Sequence, residues 1–138
     1  MLTKDRYHDN CKNALIKDSW TITHDPLRLR WGSKDMYVDL GAEKLLIAEK
    51  NQNKIAVEIK TFAAMSEVNA LENALGQYLL YRSVISRTEP DRKLYLAIPS
   101  IVYADIFEDG LGKIITEDYQ LLLLIFDINL EEIIEWIE

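Results

Sequence analysis

The chain has 138 residues, the size of one domain, with 16 Lys+Arg against 23 Asp+Glu and a formal net charge of −7. That balance excludes a protein that coats itself in nucleic acid by charge alone, and a polybasic membrane-surface binder, because both depend on surplus cations. The lone Cys11 excludes an intramolecular disulfide and a multi-cysteine zinc site, in keeping with a reducing cytoplasm.

No apolar run approaches the roughly 18–20 residues of a membrane span. Met1 to Asn10 carries Lys4, Asp5, Arg6 and Asp9 and lacks the apolar stretch of a signal peptide. The expectation is one soluble, cytoplasmic domain over residues 1–138. The charge is unevenly spread. Residues 1–60 hold 11 basic and 9 acidic side chains, whereas residues 61–138 hold 5 and 14, a balance of −9. In the first part Arg28, Arg30 and Lys34 surround Trp31, a cluster that reads most simply as a solvated loop.

Taken in chain order, residues 3–18 predict a helix, with Thr3 as a cap and Tyr7, Cys11, Ala14 and Leu15 on one stripe. Trp20, Ile22 and His24 alternate as in a short strand stopped near Pro26. Arg28 to Asp35, with Gly32 and Ser33, reads as a loop or hairpin end. Strands are expected at Tyr37–Leu40, Leu45–Glu49 and Ile55–Lys60, the last two joined by a turn at Asn51-Gln52-Asn53. Ser66 opens a helix to about Val84, with an apolar stripe of Val68, Leu71, Leu75, Tyr78 and Leu79. Leu94–Ile98 reads as a buried strand, Pro99-Ser100 starts a helix to about Glu108, and strands follow at Leu121–Phe126 and Ile133–Trp136. A helical crossover from Ile55–Lys60 to Leu94–Ile98 requires parallel pairing, while the earlier strands form an antiparallel meander. The fold class is α/β (α+β): a mixed sheet flanked by helices.

The chemistry-bearing stretch is Ala56-Val57-Glu58-Ile59-Lys60. Residues two apart on a strand share a face, so Glu58 and Lys60 emerge together while Val57 and Ile59 point into the core. Charge in such a place costs several kcal/mol, of that order, unless paired or compensated by a metal. If Asp39 ends a neighbouring strand, Asp39 and Glu58 can hold Mg²⁺ or Mn²⁺, with the Ile59 carbonyl as a further ligand. Lys60 then steadies developing negative charge or orients a water, an arrangement suited to phosphodiester hydrolysis. Asp35 competes with Asp39 for the role, but Asp39 follows the Tyr37-Val38 strand directly.

Asp39 followed nineteen residues later by Glu58-Ile59-Lys60 on an apolar strand resembles the PD-(D/E)xK nuclease pattern, with Val38 where proline is usual. Gln77 and Tyr81, one helical turn apart, are similar to the Gln-x-x-x-Tyr element of its RecB-type branches. The whole chain resembles the XisH family, described as fdxN element excision controlling factors and found mainly in cyanobacteria. The residues that carry this are Trp20 to Leu27, Tyr37 to Glu43, Ile55 to Phe62, Ala74 to Tyr78, Pro90-Asp91-Arg92, Leu94 to Ala97 and Trp136. The resemblance implies a restriction endonuclease-like domain acting in site-specific excision of a DNA element. It also implies a recombinase and a small XisI-type protein as associates.

Bland alternatives stay open at this level. Asp39, Glu58 and Lys60 can be a structural ion pair with a strand-end carboxylate, and Gln77 a polar helix position beside the sheet. Cys11 lies on the apolar stripe, where a thiol is inert packing, and His8 reads as a surface residue. The five glycines form no phosphate loop. Glu131, Glu132, Glu135 and Glu138 read as a solvated edge that discourages aggregation or attracts a basic partner. An exposed apolar patch around Leu121–Phe126 or Trp136 would favour a homodimer. A non-catalytic accessory, binding a recombinase or XisI-type protein through an endonuclease-like fold, is the competing function.

Overall fold

A computed structural model describes residues 5–45, 52–62 and 66–138. Helix α1 (His8–Lys17) is followed by β1 (Thr21–His24), β2 (Leu27–Trp31), β3 (Lys34–Val38), β4 (Leu40–Leu45) and β5 (Gln52–Ile59). Then come α2 (Glu67–Thr88), β6 (Arg92–Pro99), a short α3 (Ser100–Val102) running into a π-helical turn (Tyr103–Phe107), α4 (Gly110–Tyr119), β7 (Leu123–Asp127) and β8 (Glu132–Ile137). A six-stranded sheet has the order β1-β4-β5-β6-β7-β8, and β2 and β3 form a separate two-stranded ribbon. The β5–β6 and β6–β7 pairs are parallel and the others antiparallel, as the crossover argument requires. Among the described residues no helix is long and apolar enough to cross a membrane.

Strand alternation sends apolar side chains to both faces of the sheet. On one face Leu40, Val57, Ile59, Ala97 and Phe126 pack beneath Cys11, Ala14 and Leu15 of α1. On the other, Ala56, Leu94, Leu96, Ile98 and Ile125 pack with Leu71, Tyr78, Val84 and Ile85 of α2, and with Leu27, Leu29 and Val38 of the ribbon. Ser66 caps α2, its Oγ accepting the Asn69 N–H at 3.2 Å. Leu71 and Tyr78 of the expected stripe are buried, but Val68 is exposed.

Several expectations give way to the fold. Of the two readings of residues 28–35, a loop or a hairpin end, the structure has the hairpin: Arg28 and Asp35 lie within β2 and β3, joined by a two-residue turn in which Gly32 takes φ +61°. The Tyr37–Leu40 strand is interrupted at Asp39, for a reason that belongs to the site. Gln52 and Asn53 are strand residues, paired with Leu45 and Lys44, and the rest of the expected Leu45–Glu49 strand and its turn lies outside the described residues, as does Thr3. Helix α4 escapes sequence reading because Gly110 and Gly112 stand in its first turn. A Cβ at Gly112 would meet the Ile106 carbonyl oxygen at 2.3 Å, so glycine is demanded by packing against the π-helical turn. Leu121 and Leu123 to Phe126 are buried, and Trp136 packs on Tyr95 and Trp20, so the apolar patch expected there does not exist. Of the acidic edge, Glu132 and Glu135 are exposed on the outer strand β8, whereas Glu131 accepts Asn10 and Asn13, and Glu138 accepts the Tyr95 hydroxyl.

Tyr78 ties α2 to the two parallel strands it crosses. Its fully buried hydroxyl donates to the Leu94 carbonyl at 2.9 Å and accepts the Leu122 N–H at 3.1 Å. Tyr78→Phe strands both backbone groups, and chemical denaturation is expected to show a loss of about 2 kcal/mol. An unchanged midpoint would show that water replaces the hydroxyl.

A candidate metal centre at the end of strand β5

The β4–β5 ladder stops with Leu40 opposite Val57, one residue short of Glu58. Asp39 occupies the vacated position with its side chain instead of its backbone. Its Oδ2 accepts the Ile59 N–H at 2.8 Å, and its own N–H donates to Glu58 Oε1 at 3.3 Å. This exchange is why the strand breaks at Asp39. The Ile59 carbonyl leaves β5 from the same edge as its N–H, so it shares that edge with Asp39. Glu58 has the parity of Ala56 and lies on the α2 side of the sheet. Lys60, just past β5, is fixed by its N–H to the Ala97 carbonyl, and its Nζ stands 3.7 Å from Glu58 Oε2.

Both carboxylates are buried, Asp39 being 8% and Glu58 5% exposed. Burial pushes the Glu58 carboxyl up from the ordinary 4.5 to about 8, and the Asp39 charge adds to the rise. Lys60 pulls the other way and is outweighed, its side chain being about a quarter exposed. A structural ion pair shows the opposite balance. The group is therefore a strain on the fold, which singles it out as the candidate site.

Tyr81, partly buried against the α2-side core, feels the same pair: burial and then the charges of Glu58 and Asp39 raise its hydroxyl. Gln77 lies one turn earlier on α2, and its buried Oε1 has no hydrogen-bond partner among the described residues. Sequence reasoning missed Asp5. Its carboxylate accepts the Tyr7 N–H at 3.0 Å and the Thr61 hydroxyl at 3.4 Å, and burial, then the charge of Asp39, raises its pKa. The available signal was its place just ahead of the Tyr7–Cys11 stripe, which docks α1 on the sheet.

The remaining candidates fall elsewhere. Asp35 is bound by Arg28 on the exposed ribbon, which leaves Asp39 as the acid at the site. Cys11 is fully buried, and burial together with Asp39 and Asp5 pushes its thiol far above the ordinary range, so it is packing. His8 is not on the surface: it is 3% exposed, with Nε2 2.7 Å from Asp25 Oδ1, because α1 lays that face on the β1–β2 connection. His24 pairs with the neighbouring Thr23 hydroxyl at 2.9 Å. Among the described residues no third His, Cys, Asp or Glu side chain completes a metal-ligand cluster, so the acidic donors here are the two carboxylates.

Because Glu58 holds its proton more tightly folded than unfolded, the native state binds the extra proton between about pH 4.5 and 8. Stability from this group is full below that window and is lost as pH rises through it. Glu58→Gln is expected to raise stability at pH 9 by on the order of 2 kcal/mol, with little effect at pH 4.5. Thermal melts across this range check it, and a destabilised variant at pH 9 would contradict it.

Comparison with known proteins bears on the whole chain. The family model for the XisH protein matches residues 1–134. The crystal structure of an XisH family protein from Nostoc punctiforme is similar with a TM-score of 0.86 at 36% identity, covering 97% of this chain and 100% of the other. That of an fdxN element excision controlling factor protein from Anabaena variabilis is similar with a TM-score of 0.86 at 37% identity, covering 98% and 100%. No curated protein gives a significant match. Matched over nearly its full length by the family model and by two structures at more than a third identity, the chain belongs to the XisH family.

Proposed function

We propose that this protein is a metal-dependent DNA endonuclease of the PD-(D/E)xK kind, working in the excision of a DNA element. The observation that carries the reading is a buried carboxylate pair, Asp39 and Glu58, whose mutual repulsion the nearby Lys60 does not offset. The donor set fits Mg²⁺ or Mn²⁺, which prefer oxygen: one carboxylate from each residue and the Ile59 carbonyl on the same strand edge. When bound, the ion supplies charge neutralisation at the phosphate and a water of lowered pKa. Lys60, partly open to solvent, holds a phosphate oxygen or the attacking water by charge-assisted hydrogen bonding. The orphaned Gln77 carbonyl and the Tyr81 hydroxyl are the groups of α2 able to orient that water or the strand beside it.

Excision enters through likeness to the Anabaena variabilis protein, which is described as an fdxN element excision controlling factor. On this reading the chain acts in the cytoplasm beside a site-specific recombinase and an XisI-type protein, and a second copy can complete a DNA-binding dimer. A second reading, a non-catalytic accessory, is favoured by the −9 balance of residues 61–138 and by the exposed Glu132 and Glu135 of β8, which suit a basic protein partner.

Incubation with branched, single-stranded and duplex DNA distinguishes the two. Cleavage is expected with Mg²⁺ or Mn²⁺ and not with chelator. Asp39→Ala and Glu58→Ala should each lose at least about 100-fold, and Lys60→Ala about 10- to 100-fold. Cleavage unchanged in Asp39→Ala and Glu58→Ala overturns the nuclease reading. Excision that proceeds normally with both variants supports the accessory.

A further inference from the structure

The β2–β3 ribbon gathers cations in a protein that is acidic overall. Alternation settles which side chains it presents. Leu27, Leu29 and Val38 are buried and Met36 half-buried, all packed into the α2-side core. The opposite face carries Arg28 across from Tyr37 and Arg30 across from Asp35, all exposed. Trp31 and Lys34 pair at the tip with the parity of the α2-facing residues, but beyond the core, so that Trp31 is 53% exposed. Trp31 also lines an open groove of about 330 Å³ with Ser83, Val84 and Arg87 of α2.

Folding does not account for this surface. Asp35 is the acid within the group; Arg28 grips it through Nε and Nη2 at 3.1 and 2.9 Å, while Arg30 Nε stands 4.0 Å away. A guanidinium has five donors, so both arginines keep most of theirs for another partner. An indole at a hairpin tip buries little and packs no core. Arginines beside exposed aromatic rings suit a flexible anionic strand, the cations taking phosphates and the rings stacking on bases. Duplex bases are hidden from such stacking.

Position supports the same partner. The ribbon runs straight into the carboxylate pair, Val38 being followed by Asp39. At about 3.3 Å per residue, Tyr37 stands roughly 7 Å and Lys34 roughly 17 Å up the strand from Asp39.

We propose that the β2–β3 ribbon, through Arg28, Arg30 and Tyr37 of its outer face and Trp31 at its tip, binds single-stranded DNA and leads it toward Asp39 and Glu58. The direction of travel rests on the nuclease reading; the binding itself does not. The test is fluorescence anisotropy with a labelled 20-nucleotide oligothymidine and a duplex of the same length, with Ca²⁺ as the divalent ion, alongside intrinsic tryptophan fluorescence.

The full chain should bind the single strand more tightly than the duplex and lose tryptophan emission on binding. Arg28→Gln/Arg30→Gln should weaken binding at least tenfold and flatten the slope of log K against log salt by about 1.4. Trp31→Phe should abolish most of the quenching, and Trp31→Ala should weaken binding about fivefold or more. Lys113→Gln, on α4, should bind as the wild type does. All these positions are exposed, and thermal melts confirm that the variants are folded. Absence of binding, preference for duplex, or ribbon variants within twofold of wild type overturns the proposal. Binding through the ribbon without cleavage in Mg²⁺ or Mn²⁺ defeats the nuclease reading and leaves this one standing; cleavage with ribbon variants that bind normally does the reverse.

Discussion

Asp39 and Glu58 meet where a β-ladder should have continued. The side chain of Asp39 takes the Ile59 N–H that a strand neighbour would otherwise bind, and its own N–H goes to Glu58. Two carboxylates are thereby held at the end of β5 with little access to water. The usual remedy, a well-paired cation, is incomplete, because Lys60 reaches Glu58 only at 3.7 Å and stays partly hydrated. Proton uptake by Glu58 resolves the conflict in the absence of another charge. A hard divalent cation, if bound there, would replace that proton with two positive charges.

The rest of the fold reads as support for that juncture. Beneath it, α1 closes one face of the sheet with Cys11, Ala14 and Leu15, and brings Asp5 and Thr61 together at the edge of the pair. On the other face, α2 is pinned to the parallel strands by the Tyr78 hydroxyl, which fixes where Gln77 and Tyr81 stand. The break at Asp39 also frees β3 to leave the main sheet and pair with β2. One hydrogen-bond exchange thus creates both the acidic centre and the cationic ribbon that projects from it.

The pattern Asp39, Glu58-Ile59-Lys60 was legible because it depends on period-two alternation and on the oddity of charge at an apolar strand end. The parallel crossover through α2 was legible for a similar reason, its apolar stripe and Ser66 cap being local signals. What escaped depends on contacts across the chain. The ribbon was half legible: Gly32-Ser33 reads as a loop or a hairpin end, and the choice between them is made by Leu27, Leu29 and Val38, buried against α2. Helix α4 hid because Gly112 serves a close approach to Ile106, not a turn. His8 and Asp5 hid because their burial is set by where α1 docks, which no periodicity states. The −7 total conceals a ribbon that carries Arg28 and Arg30; the cluster was visible in the sequence, but its place on an exposed strand face was not.

The central claim is that Asp39 and Glu58 form a cation site, and Mn²⁺ binding measures it without reference to any substrate. Titration calorimetry, or the loss of free Mn²⁺ signal in electron paramagnetic resonance, should give one ion per chain. Affinity should rise from pH 6 to pH 8.5, because Glu58 must release its proton to bind. Asp39→Asn and Glu58→Gln should each lose that site. A wild-type chain that binds no Mn²⁺ at pH 8.5, or variants that bind it as well as the wild type does, would contradict the account.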